Sequence, residues 1–320
     1  MQQHMPTSIS RSTGLRKFIS QPDRYSERYG NLTLTARDLE ILQTVYRYRY
    51  LEARHIRALV TGSDQQITRR LQGLFHNGYL GRYARRARIR LELDPGAPLM
   101  AYGLDLKGAR ALEHHRNRVE SGTGQTMAPV LWRKDYTRRT EWFLEHHLMI
   151  SNFRCVLELA LRETRDTELV TWDQSKNIWF RARVPGRRQR TVRVAPDAYF
   201  TLRQGHETRH FFLEADRSTE EHRKILSKFV GYWWYLQDAE AELFPANARR
   251  RVNVLFVTTG TQRLENMVRT LREMPKPNRA RNGGKGVFWF CAEPSYGCTD
   301  PTTIRRAIWR TVNDSVRKRL

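Results

Sequence analysis

Three cysteines in 320 residues are too few and too scattered for a disulfide framework or a zinc knuckle. Cys155, Cys291 and Cys298 are odd in number, lack close C-x-x-C spacing, and read as reduced, packed thiols of a cytoplasmic protein. Long hydrophobic runs are missing too. No stretch approaches the ~20 apolar residues of a membrane span, and no amphipathic segment stands free of a domain, so no membrane partner is expected. The first 31 residues are polar, have no apolar signal-peptide core, and read as a disordered basic tail. Nothing repeats along the chain. No Ser-His-Asp signature is present, nor an isolated tyrosine motif of the relaxase kind. NGGKG at 282–286 lacks the GxxxxGK[ST] spacing of a phosphate loop and reads as a flexible basic loop.

Acid is the other shortage. Fifty-seven Lys and Arg face 33 Asp and Glu, a formal charge of +24. An excess of that size repels itself unless a polyanion neutralises it, which makes nucleic acid, DNA or RNA, the expected partner and a basic solubility surface or a ribosome-like binder the alternative. The winged helix predicted from the amino-terminal half narrows the partner to double-stranded DNA. Hydrophobic content of 39% and charged content of 28% fit a globular chain, and the length suits two domains.

The amino-terminal half carries helical periodicity three times. LTARDLEILQTVYRYRYL opens on Thr35 with Asp38 three residues on, a capping-box arrangement, and stacks Leu39, Leu42, Val45 and Tyr46 on one face. LEARHIRALV follows, then a break at TGSD, then QQITRRLQGLFHNGYL with Ile67, Leu71, Leu74 and Phe75 inward. In RARIRLELD the apolar residues alternate with arginine, Asp94-Pro95-Gly96 makes a turn, and LMAYGLD returns as a second strand. LKGARALEHH closes the unit as a further helix. Helix, turn, helix and β-ribbon predict a winged helix-turn-helix over residues 32–118. In such a module the third helix enters the major groove and the wing touches the backbone. Gln65, Gln66, Thr68, Arg69 and Arg70 at the start of that helix are candidates for base or phosphate contacts. Arg82, Arg85, Arg86, Arg88 and Arg90 suit phosphate contacts.

Residues 119–137 read as a linker, since VESGTGQTMAPV is rich in small residues and Gly. Beyond it, over 138–320, the pattern predicts an α/β domain. A helix is expected at about 139–163 and strand pieces at ELVTWD, NIWFRARV, TVRVAPDAYFTLR and HETRHFFLEAD. A second long helix follows over 219–243, then a strand, a helix at 262–273, the strand GVFWFCAE, and a final helix in PTTIRRAIWRTVNDSVRKR. A turn near Gly205-His206 sets residues whose numbers sum to about 411 opposite each other, so Asp197 faces Glu214. Asp197, Glu214 and Asp216 then share one face of two strands. Three carboxylates that close repel one another unless a cation sits among them, and oxygen ligands suit Mg²⁺ or Mn²⁺.

Pro196-Asp197, the strand ending at Glu214 and the helix after it resemble the PD-(D/E)xK nuclease superfamily, a restriction endonuclease-like fold. The resemblance implies that Asp197 and Glu214 bind metal. A lysine two residues after the acid would orient the attacking water, but Asp216 stands there. Some members move the lysine to the next helix, where Lys224 and Lys228 lie four apart on one face. With the winged helix in front, the chain resembles the replication-relaxation family of plasmids and other mobile elements. RRLQGLFHNGYL, Pro196-Asp197, FFLEADRSTEEHRKILSKFVGYWWY and Glu145-His146-His147 carry that resemblance. Glu145 is a further candidate metal ligand, while the His pair reads as packing or capping, and the Tyr232–Tyr235 aromatics read as helical core. Two functions stay open: a metal-dependent endonuclease or nickase targeted by its winged helix, and a non-catalytic DNA-binding factor with a degenerate nuclease fold. Other DNA-processing proteins of the element are candidate partners.

Overall fold

The computed structural model describes residues 30–84, 100–124, 126, 128–132, 140–186, 190–218, 221–238, 242–244, 248, 251–274, 284–312 and 317–320. The expected basic tail falls outside these apart from residues 30 and 31, as do the strand RARIRLELD from residue 86 to 94, its Asp-Pro-Gly turn and linker residues 133–137.

The chain opens with α1 (Ala36–Tyr48), β1 (Tyr50–Glu52), α2 (Ala53–Leu59) and α3 (Asp64–His76). It continues with β2 (Leu80–Ala84), β3 (Met100–Leu104) and α4 (Leu106–Thr123). The cap at Thr35 forms as expected: its side chain accepts from the Asp38 amide while Asp38 reaches back to the Thr35 amide at 2.7 Å. Ser63 caps α3 through the Gln66 amide. Strands β1, β3 and β2 form one antiparallel sheet, in that order. Ile41, Leu42, Val45, Ile56, Ile67, Leu71 and Leu74 close a core in which each is fully or nearly fully buried. Strands β1 and β2 were not expected, and α4 runs five residues past 118 into the stretch that reads as linker.

The remaining elements are α5 (Glu141–Arg162), β4 (Thr167–Asp173), β5 (Phe180–Val184), β6 (Arg190–Val194), β7 (Ala198–Gln204) and β8 (Glu207–Asp216). Then come α6 (His222–Gln237), β9 (Val252–Thr258), α7 (Thr261–Glu273), β10 (Phe288–Ala292), β11 (Trp309–Arg310) and β12 (Arg317–Lys318). Seven strands form a mixed sheet in the order β12-β11-β10-β9-β8-β7-β4, parallel along β8, β9 and β10 and antiparallel elsewhere. Helix α5 packs on one face, against Phe200, Phe211, Leu213 and Leu255. Helices α6 and α7 pack on the other, against Phe212, Val254, Phe256 and Phe288.

Three expectations are corrected. TVRVAPDAYFTLR is two strands, because Pro196 donates no amide to a ladder and breaks β6 from β7. Helix α6 begins at His222 and stops at Gln237, shorter than the expected 219–243. The last expected helix is instead a 3-10 turn (Pro301–Arg305) followed by β11 and β12. Ile304, Ile308 and Val312 are spaced four apart, which suits a helix. Yet Ile304 and Trp309 fill the α5 side of the sheet while Val312 packs on the α6 side, because the segment joins the sheet as β11, between β10 and β12, where successive side chains alternate faces.

Among the described residues the hairpin β5–β6 pairs only with itself, and it lies on α6. Gly231 permits that approach: a Cβ there would stand 2.5 Å from Val194 Cγ2 and 3.0 Å from Val192 Cγ1. Gly231→Ala should therefore lower stability, the overpacking cost of about 1–3 kcal/mol exceeding the ~1 kcal/mol gained in helix propensity. Urea unfolding checks this, and a midpoint above wild type would show the hairpin giving way instead.

Candidate functional site

At the carboxyl end of β8 the sheet brings acids together. The register pairs Ala198 with Leu213 and Tyr199 with Phe212, and the Asp197 amide donates to the Leu213 carbonyl at 3.0 Å. Asp197 is thus opposite Glu214, as the turn position predicted. Alternation sends Phe211, Leu213 and Ala215 towards α5, leaving Glu214 and Asp216 with Phe212 on the α6 face.

Each acid has its own partners. Glu214 is 1% exposed and accepts from Lys228 Nζ at 2.8 Å and from the Tyr232 hydroxyl at 2.6 Å. Lys228 and Tyr232 are four apart, one above the other on α6. Asp197 takes the Ala215 amide on Oδ2 at 2.8 Å and lies 2.9 Å from His146 Nε2 through Oδ1. His146 comes from the first turns of α5, on the other side of the sheet, and stacks on Trp142. Asp216 is held by Arg263 of α7 at 2.8 and 3.1 Å and accepts from the Thr258 hydroxyl and the Ser218 amide.

The three acids therefore do not form one cluster. Asp197, Glu214, Lys228 and His146 meet, while Asp216 is turned to Arg263. Glu145 is buried, with Arg217 3.9 Å away. Lys224 is exposed one turn before Lys228. Among the described residues no group of three or more His, Cys, Asp or Glu is arranged to hold a metal ion. His146 and Arg263 were not foreseen as site residues. The sequence signal for His146 was its place in Glu145-His146-His147, on the helix expected to flank the acids, where it read as packing or capping; nothing marked Arg263.

Burial pushes Glu214 up to about 7, and the nearby Asp197 charge adds to this, against Lys228 and Tyr232, which lower it. Burial acts to raise Asp197 as well, but the His146 hydrogen bond, the His146 and Lys228 charges and the Ala215 amide outweigh it and hold the carboxyl below its ordinary range. Burial lowers His146, and the Asp197 bond and charge outweigh that and raise it. Local cations thus answer much of the repulsion that the sequence pattern implied.

On the amino-terminal unit, Gln65, Gln66, Thr68 and Arg69 are exposed along the start of α3. Gln66 accepts from Arg37 at 3.2 Å, and Thr68 turns back to the Asp64 carbonyl. Arg70 is committed inward. Its Nε is 2.6 Å from Oδ1 of Asp38, a fully buried acid. Arg82 lies over the Phe75 ring, its guanidinium carbon 4.2 Å from the centroid. Arg85, Arg86, Arg88 and Arg90 lie outside the described residues.

Residues 42–246 match the family model described as replication-relaxation. The chain belongs to the replication-relaxation family. No curated protein and no solved structure matches it. Membership suggests a part in the replication or relaxation of plasmid or other mobile-element DNA. The replication-relaxation match contains α3 and the group His146, Asp197, Glu214 and Lys228, and it ends before Arg263. No helix of the described residues is long and apolar enough to cross a membrane.

The shifts have signs that unfolding can read. The raised His146 contributes stability that is complete below its ordinary 6.5 and is lost as pH rises through the folded value. Asp197 contributes stability present above 3.8 and lost as pH falls through its lowered value. The stability gap between wild type and His146→Gln should be widest between these limits, about 1.5–3 kcal/mol for a charge-assisted bond, and should close on either side. Glu214 has the opposite effect. Wild type should lose stability relative to Glu214→Gln as pH rises from 4.5 through about 7. Thermal melts at stepped pH test both, and parallel curves would contradict them.

Proposed function

We propose that this replication-relaxation protein binds duplex DNA through the start of α3 and the β2–β3 hairpin, and nicks it at Asp197, Glu214 and Lys228 with Mg²⁺ or Mn²⁺. Three helices followed by a hairpin support the winged-helix reading, and the mixed sheet between α5 and α6–α7 supports the PD-(D/E)xK reading. One observation carries the nuclease: Lys228, on the helix after the acid strand, places its ammonium 2.8 Å from Glu214. That is where a relocated lysine of the superfamily is expected.

The donor set fits a hard divalent cation. Asp197 and Glu214 offer oxygen, and water and phosphate oxygens complete such shells. Glu214 remains raised to about 7 despite Lys228, so its buried charge is under-compensated, and a further cation would restore the carboxylate. A bound metal would supply polarisation of the scissile phosphate and a lowered pKa for the attacking water. Lys228 and Tyr232 hold Glu214 in place, and His146 with the Ala215 amide fixes the Asp197 carboxylate.

A second reading, a DNA-binding factor without catalysis, is favoured by Asp216. Instead of a lysine, this position holds an acid bonded to Arg263. Supercoiled plasmid with Mg²⁺ or Mn²⁺ separates the two. Nicking is expected, with Asp197→Ala abolishing it and leaving DNA affinity at the wild-type level. Calorimetry without metal binding would remove the enzyme; metal binding without cleavage of any plasmid would leave the DNA-binding factor. On the DNA side, Arg69→Ala should alter sequence preference. Arg70→Ala should instead act on stability, by about 3–5 kcal/mol, because it strands the buried Asp38.

A further inference from the structure

The β5–β6 hairpin has one face with an evident purpose and one without. Phe180, Ala182, Val184 and Val194 are buried on its inner side. Phe180 stacks on Tyr235 with centroids 3.8 Å apart and meets Tyr232 edge-on at 5.5 Å. The outer side is arginine. Arg181 stands directly opposite Arg193, with Arg183 opposite Thr191 beside them, and all four are exposed. Like charges facing each other across a ladder destabilise it. Among the described residues neither Arg181 nor Arg193 forms an ion pair that would offset this. The sequence supplies no local acid either: between Asp173 and Asp197 there are seven Lys or Arg and no Asp or Glu.

An aromatic ring completes the surface. Trp179, 36% exposed, precedes β5, with the Arg193 guanidinium carbon 4.8 Å and Lys176 Nζ 5.5 Å from its ring. Arginine forks match phosphate oxygens in pairs, and an exposed ring among cations is the usual platform for a base or sugar along a strand.

The ribbon is next to the acids. Tyr232, packed on Phe180, donates to Glu214 at 2.6 Å. Strand β6 itself leads through Ala195 and Pro196 into Asp197, four residues beyond Arg193.

We infer that the outer face of β5–β6 is a second nucleic-acid site, holding a phosphodiester backbone beside Asp197 and Glu214 through Arg181 and Arg193, with Trp179 against a base or sugar. It rests on the proposed reading in taking DNA as the anion, and it differs from the α3 surface in place and in chemistry. Duplex and single strand offer the same phosphates, so both are assayed.

The test uses the full chain and fluorescent duplex and single-stranded oligonucleotides over a salt series. Arg181→Ala/Arg193→Ala should reduce the log–log salt slope by about 1.8 on duplex or about 1.4 on single strand. The form that shows the loss is the form held there. Trp179→Phe should remove a DNA-induced change in tryptophan emission that wild type shows. Arg69→Ala, on α3, should combine with the ribbon pair additively. A ribbon variant with wild-type affinity and slope on both oligonucleotides, while Arg69→Ala still alters binding, would overturn the ribbon alone. A wild-type protein that binds neither would overturn the DNA reading and the ribbon with it. The substituted side chains are exposed, so melting temperatures should stay at or above the wild-type value. A fall in melting temperature would show the arginines to be structural and would also overturn the inference.

Discussion

Helix α5 is buried on both sides, and most of the architecture follows from that. Ile150, Phe153, Val156 and Leu157 face the large sheet, while Leu144 and Leu148 meet Tyr50 and Ala101 of the amino-terminal sheet. Cys155 belongs to the core of α1, α2 and α3. A helix apolar all round must be enclosed, and any polar group it carries inside must find a partner. Most of those partners lie on the amino-terminal unit. Ser151 donates to the Tyr48 carbonyl and Arg154 to that of Arg47, both at 3.1 Å. Arg162 reaches the Leu59 carbonyl, and Asn152 joins His55 at 3.1 Å to Glu293 at 3.0 Å.

Charge is managed in the same local way. The chain is +24 overall, but its buried acids are not left to that distant field, which salt screens. Asp38 has Arg70, Glu158 has Arg154 and Arg47, Asp216 has Arg263, Glu214 has Lys228 and Asp197 has His146. An acid with a cation of its own is neutralised where it stands, whereas two acids that share a corner also act on each other. Among the described residues Asp197 and Glu214 share such a corner, and of the two only Glu214 is displaced towards neutrality.

What could be read from the sequence was what repeats with a period. Helical spacing located α1, α3, α5 and α7, and the Thr35–Asp38 box fixed a start. The turn at Gly205-His206, where Gly205 has φ 57°, was enough to set the β7–β8 register. Contacts distant in sequence could not be read. Nothing local shows that Arg263 waits for Asp216 forty-seven residues away, or that Arg70 turns inward to Asp38. His146 looked like packing because a histidine on a helix gives no sign of which strand end it will meet. The last segment misled because a spacing of four suits a helix equally well as a short turn that leads into a strand.

The shared helix also acts as a ruler. A tether between two modules would let them sample many separations along bound DNA. Here His146, at the acid corner, and Asn152, Arg154 and Cys155, packed into the unit that carries α3, stand on one continuous helix. The separation between the exposed start of α3 and the Asp197–Glu214 corner is therefore a property of side-chain packing. Along a duplex that turns once in about ten base pairs, a fixed separation is also a fixed rotational phase. For a duplex held at both sites as proposed, the groove met by α3 would determine which strand meets the acids.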